Sequence, residues 1–333
     1  MSDISQWKIH GPVHTLRSEF AEWDLSREEW QAPRHVSLVR FLPNGTIGAS
    51  ESHNPDGSFS RSNYSYDAVG RLTEIRFQMN DGPIQQAVYF YDGSGRLIRL
   101  AGVEPDGTER ESETYSYGQD RKKTKVYFVP ELKPGVGFSY GIEGTELSYG
   151  ADGATRIVTV YDEGGRPGEV LFHDAEDRLL RRVIFRRDGA GRLVSEEMHL
   201  AAPIRESEAA LANLFGPGNA MSSTTYVYDY KNRLQEQRTR MSVLGEDRTT
   251  IVYDDNDNPI EKVLEHTSRE VQIDQEGNIE PVKETSHTQN VRFEYRYDEQ
   301  RNWTERVVWS RLEPNPDFQR SNVERREVVY YAG

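Results

Sequence analysis

The sequence predicts an all-β fold, an antiparallel meander of tandem β-hairpins coiled into a spiral sheet or partial barrel, with one inserted short helix. Three observations predict it. A Tyr-Asp-x-x-Gly-Arg-Leu unit recurs along the chain, a second set of turns falls between its copies, and tyrosines sit two residues apart just before the turns.

The unit comes first. Its copies begin at Tyr66, Tyr91, Tyr161, His173, Arg187, Tyr228, Tyr253 and Tyr297. Asp is present in every copy, where a turn needs a side chain that bonds back to the following amides. Three residues later the chain must pass through left-handed φ to enter the returning strand. Gly70, Gly95, Gly165 and Gly191 suit that position, and Asp177, Asn232 and Asp257 are the next most tolerant choice. Arg301 departs from this rule, so the last hairpin is expected to be the most strained or differently shaped.

The interleaved turns are Pro43-Asn44-Gly45, Asn54-Pro55-Asp56-Gly57, Asn80-Asp81-Gly82 and Glu104-Pro105-Asp106-Gly107. Together the two sets reverse the chain every ~11 to 14 residues, which leaves strands of about eight residues and some sixteen to eighteen strands in all. That number is too many for an open flat sheet. A propeller would repeat at ~40–45 residues, longer than the spacing found. Period two places the pairs Tyr64/Tyr66, Tyr89/Tyr91, Tyr115/Tyr117, Tyr226/Tyr228 and Tyr295/Tyr297 on one face of the sheet. Stacked across strands, they form an aromatic ladder with Arg and Leu from their neighbours.

Interruptions divide the chain. Residues 1–40, with Trp7, Trp23 and Trp30, read as an N-terminal capping hairpin over the first edge strand. Repeat blocks follow at 41–129, 151–199 and 223–333. Between them lie a Gly/Pro-rich loop at 130–150 and a helical insertion at 200–222. In the latter, the stretch from Pro203 to Phe215 carries Ile204, Leu211, Leu214 and Phe215 on one side before Gly216-Pro217-Gly218 stops it.

Composition bounds the function. Hydrophobic residues are 35% and charged residues 29%, which suits a sheet with much exposed surface and no thick core; eighteen Tyr add burial. The net charge of −14 argues against nucleic acid and an anionic membrane as partners. Arg outnumbers Lys 33 to 8, a bias towards bidentate pairing and ring stacking. The absence of Cys removes disulfides, Cys-ligated zinc and thiol catalysis. The first residues carry no apolar leader and no apolar run reaches membrane length, so the location expected by default is cytoplasmic, with export as folded cargo left open.

No cofactor, metal or catalytic residue is expected. Asp254 to Glu265 approaches a calcium loop, but Pro259 takes the place of the required Gly and the motif coincides with a repeat turn. Gly135 to Gly141 misses the dinucleotide pattern. The eight His are scattered. Arg178, Arg181, Arg182, Arg186, Arg187 and Arg192 form the one basic patch, split by alternation between two faces and best read as partners of nearby Asp and Glu. As a binding surface the choice falls on Tyr64, Tyr66, Tyr89, Tyr91, Tyr115, Tyr226, Tyr228 and Tyr295, whose rings can stack sugars but are also needed to hold a thin sheet together.

The units resemble the YD repeats of the Rhs family, over about residues 40 to 303. The resemblance implies a coiled β-sheet of the kind that encloses toxic cargo. The chain is too short to enclose a cargo domain, and it has no Asp-Pro dipeptide for the family's self-cleavage. The expectation is thus a short stand-alone member. It would be a non-enzymatic scaffold or recognition module for a protein or glycan, linked to a toxin or immunity system. The alternative is a carbohydrate-active enzyme using carboxylates inside the coiled sheet.

Overall fold

The computed structural model describes residues 9–104, 106–118, 123–128, 138–142, 145–149, 154–201, 220–241, 244–273 and 279–331. The repeat turns form as their residues dictate. Gly70, Gly95, Gly165 and Gly191 have φ of 83°, 80°, 74° and 81°, and Asp177, Asn232 and Asp257 have 63°, 64° and 63°. Arg301 takes the same conformation, with φ of 66°. Its hairpin therefore keeps the common shape and bears the strain that a Cβ causes there. In each turn the Asp carboxylate collects the amides ahead of it. Asp67 Oδ1 accepts from Val69 N at 3.0 Å and Arg71 N at 2.8 Å, while its Oδ2 holds Arg71 Nε at 2.6 Å.

Consecutive strands pair antiparallel along the wall, from Arg34–Phe41 to Gln319–Tyr330. The decisive pairing is non-local. The first strand, Val13–Asp24, pairs with Arg34–Phe41 on one side and with Gln319–Tyr330 on the other. Of the 21 strands in this sheet, Glu29–Trp30 pairs with the first strand alone, so the remaining 20 close into a barrel. The spiral and the partial barrel are thereby corrected. An open end would leave a row of unpaired backbone groups, and the first strand satisfies both ends at once. It is a wall strand, not a cap. A separate hairpin, Phe138–Ile142 with Thr145–Tyr149, lies within the stretch read as a loop. The helix expected from Pro203 to Phe215 falls outside the described residues.

The wall is thin. The accessible surface is 20324 Å² for 38.3 kDa, against roughly 14,000 Å² for a compact protein of that mass. Barrels of 16–18 strands already leave an aqueous channel. Buried apolar residues accordingly gather in two patches of wall, not in one centre. Ile9, Val13, Leu16, Val39 and Phe41 form one beside the seam. Ile157, Val170, Phe172, Val183, Phe185 and Leu193 belong to the other.

The two faces differ. In Phe59–Tyr66, Ser60, Ser62, Tyr64 and Tyr66 are half-buried, while Arg61, Asn63 and Ser65 are exposed. In Ser222–Tyr228, Thr224 is buried and Tyr226 and Tyr228 half-buried, while Thr225 and Val227 are exposed. Closure crowds inward side chains and spreads outward ones, so the tyrosine face is the one turned inward.

Candidate functional site

The expected tyrosines divide into two groups with different work. The second ring of each pair is a mechanical part. Tyr66, Tyr91, Tyr117, Tyr228 and Tyr253 donate their hydroxyls to the carbonyls of Ile47, Leu72, Leu97, Leu193 and Leu234, each at 2.7 or 2.8 Å. The turn arginine of the preceding unit covers the same ring. Arg71 lies 4.7 Å from the Tyr91 centroid, Arg96 4.6 Å from Tyr117, Arg192 5.1 Å from Tyr228 and Arg233 4.7 Å from Tyr253. Each guanidinium is held in turn by its own turn aspartate. Asp, Arg, ring and carbonyl thus tie each of these four hairpins to a neighbour along one rim.

Two units lack the arginine and solve the problem differently. With Asn258 and Asn302 in its place, the next tyrosine reaches the aspartate directly. Tyr297 Oη donates to Asp254 Oδ2 at 2.5 Å and Tyr330 Oη to Asp298 Oδ2 at 2.6 Å. Burial and the facing carboxylates push both phenols up to about 12. Asn302, 4% exposed, also receives His10 N at 2.7 Å and donates to His10 O at 2.8 Å, which pins the incoming chain at the seam.

The first ring of each pair stands deeper in the wall. Tyr64, Tyr89 and Tyr115 lie on the inward face of three alternate strands, Phe59–Tyr66, Ile84–Tyr91 and Glu109–Tyr117. The register connects them. Leu100 is opposite both Tyr89 and Glu113, and Tyr115 is opposite Lys125. Glu113, 9% exposed, accepts a hydrogen bond from the Tyr115 hydroxyl and pairs with Lys125 Nζ at 2.5 Å. Burial raises the Tyr89 phenol above its ordinary range, and the Glu113 charge adds to it. The result is a row of three rings on one face, with a sheltered carboxylate–ammonium pair at its Tyr115 end. Glu113 and Lys125 were not singled out from sequence. The signal was present, since period two from Tyr115 and Tyr117 puts Glu113 beside them, but Lys125 needed the strand pairing.

The other expected residues lie elsewhere. Tyr226 packs on the second apolar patch. Tyr295 stacks on Tyr297 at 5.9 Å and gives its hydroxyl to Pro259 O at 2.8 Å. Its phenol is pushed up to about 12, first by burial. Asp254 spends Oδ1 on Asn256 N and Asn258 N, as a repeat turn does. In the arginine patch, Arg178, Arg182, Arg186 and Arg192 pair with Asp174, Glu169, Glu197 and Asp188, and Arg181 covers Phe172 at 3.8 Å.

Charge is spread over both faces. The outward one carries Arg61–Glu51, Arg248–Glu236 and Arg325–Glu305, the inward one Lys125–Glu113 and Arg306–Glu324. Among the described residues no helix is long and apolar enough to cross a membrane.

No family model and no curated protein matches the chain. Solved structures do. A porin-like protein from Bacteroides uniformis aligns over 96% of this chain and 99% of its own, at 10% identity and a TM-score of 0.36. The TcdB2–TccC3 structure aligns over 85% of this chain at 12% identity and a TM-score of 0.26, and the match spans 19% of that much longer chain. A putative outer membrane lipoprotein-sorting protein domain from Vibrio parahaemolyticus aligns over 62% at 12% identity and a TM-score of 0.18. These likenesses are too distant to bear on function.

Proposed function

We propose that this chain is a non-enzymatic recognition module, a hollow water-soluble barrel whose inner tyrosine face binds a glycan. The observation that supports it is the row of Tyr64, Tyr89 and Tyr115 on one face, with the Glu113–Lys125 pair beside Tyr89 and Tyr115. Flat rings offer apolar faces to sugar C–H groups, and a sheltered carboxylate and ammonium accept from and donate to hydroxyls. Ligand sites combine aromatic walls with a few placed polar groups in this way. The distribution of charge favours a soluble protein over a membrane-spanning one, since each Arg or Lys facing the bilayer midplane costs about 2–4 kcal/mol. The cytoplasm remains the location proposed.

A glycan array probed with the purified protein tests this reading. The expected result is a binder whose affinity drops at least tenfold in Tyr89→Ala and in Lys125→Ala, while Tyr253→Phe leaves it unchanged. A blank array, or equal binding by all variants, overturns it.

A second reading, the carbohydrate-active enzyme, draws on one observation. The Tyr115 hydroxyl donates a hydrogen bond to Glu113, a hydroxyl nucleophile beside a base. Cleavage of a bound glycan by the wild type, abolished in Glu113→Gln with binding retained, would select the enzyme over the module.

A further inference from the structure

On the opposite face of the sheet, three side chains with metal-binding chemistry meet. Glu51 and His53 are two residues apart on the strand Ile47–His53, so they project to one side. His35 comes from the start of the neighbouring strand, Arg34–Phe41. Regular pairing would send it the other way. Ser37 lies opposite Ser18 and Ser52 on the inward face, and a residue two positions earlier should share that face. The register slips between Ser18 and Glu19, whose partners are Ser37 and His35, so Val36 is an extra residue. This bulge turns His35 outward, until its ring lies 4.8 Å from that of His53. Bulges re-aim side chains in this manner next to functional sites.

The donor set is ready to bind. One ligand atom from each of His35, Glu51 and His53 lies within 4.8 Å of the other two. His53 Nε2 and Glu51 Oε1 are 2.6 Å apart. A tetrahedral ion with bonds near 2.0–2.1 Å would hold its ligand atoms about 3.3 Å from one another, a change that side-chain rotation supplies. The surroundings orient the ligands. Arg61 Nε holds the other carboxylate oxygen, Oε2, at 2.9 Å. His35 Nδ1 is buried without a hydrogen-bond partner. A small cavity lined by Leu38, Arg40 and Arg61 opens beside Glu51.

We propose that His35, Glu51 and His53 form a binding site for a zinc-type divalent transition ion, with the fourth position open to water or an exogenous ligand. Two imidazoles and one carboxylate with an open position is a donor set suited to Zn²⁺. The site lies on the outward face and does not depend on the glycan reading.

Titration calorimetry with Zn²⁺, and the visible spectrum of the Co²⁺-loaded protein, test it. One equivalent should bind at micromolar concentration or below, with a tetrahedral Co²⁺ spectrum. Affinity should fall at least tenfold in His35→Ala and in His53→Gln, with circular dichroism unchanged. His53→Gln alters a partly exposed ring and keeps the test valid if His35→Ala fails to fold. His266→Gln, which removes a histidine paired with Asp247 on another part of the wall, should bind as the wild type does. Absence of saturable binding overturns the site. So does a stoichiometric ion that persists in His53→Gln or disappears in His266→Gln.

Discussion

At Gly245 the chain has φ of 156°, and an added Cβ would sit 2.1 Å from the carbonyl oxygen of Thr267 on the paired strand. Backbone cannot retreat as a flexible side chain can, so Gly245→Ala should cost roughly 3 kcal/mol, read as a lower midpoint in urea unfolding. Arg301→Gly tests the opposite sign. The residue holds φ of 66° without the compensation that Asn or Asp can make. Relief should stabilise the protein by roughly 1 kcal/mol, a rise of about 1–2 °C in Tm for a chain of this size. Both positions show how unevenly sequence speaks at this scale. The strain at Arg301 was legible because seven sister turns hold Gly, Asn or Asp there. The crowding at Gly245 was not, since it comes from a strand twenty residues further on.

The hairpin is the element that sequence described best. Its turn aspartates, its left-handed residue and its paired rings all stand where the repeat placed them. What the repeat left open was the division of labour between rings, because the hydroxyl's partner belongs to the previous hairpin. The rim of turn aspartates also sets a pH dependence. Asp67 and Asp92 are held below the usual carboxylate range, first by the backbone amides of Arg71 and Arg96 and then by their guanidiniums. The guanidinium of Arg192 leads in lowering Asp188. A carboxyl whose folded pKa is depressed adds stability that is complete above the unfolded value of about 3.9 and is lost as pH falls through the folded one. Urea midpoints should therefore fall below about pH 4, and this fall should be shallower in an Asp67→Asn, Asp92→Asn, Asp188→Asn triple variant. The seam hairpin has its own test. Asn302→Ala strips partners from His10 and from Tyr330, at a cost of about 2–4 kcal/mol. Hydrogen exchange should then quicken first along Val13–Asp24 and Gln319–Tyr330.

Closure belongs to the whole molecule, and no local pattern announced it. Val13 and Tyr330 are partners across more than 300 residues, and neither strand carries a mark that distinguishes an edge from a seam. The metal-type cluster was hidden for the same reason, since His35 reaches Glu51 and His53 only through a bulge defined by pairing. Solution scattering should give a radius of gyration well above the roughly 20 Å of a compact chain of this length; a value near 20 Å would mean a collapsed lumen. Because the first and last strands are hydrogen-bonded neighbours, the ring of hairpins has no privileged starting point. A gene rearranged to begin at the Asn54-Pro55-Asp56-Gly57 turn, with the old ends bridged by a short linker, should encode the same circle of strands.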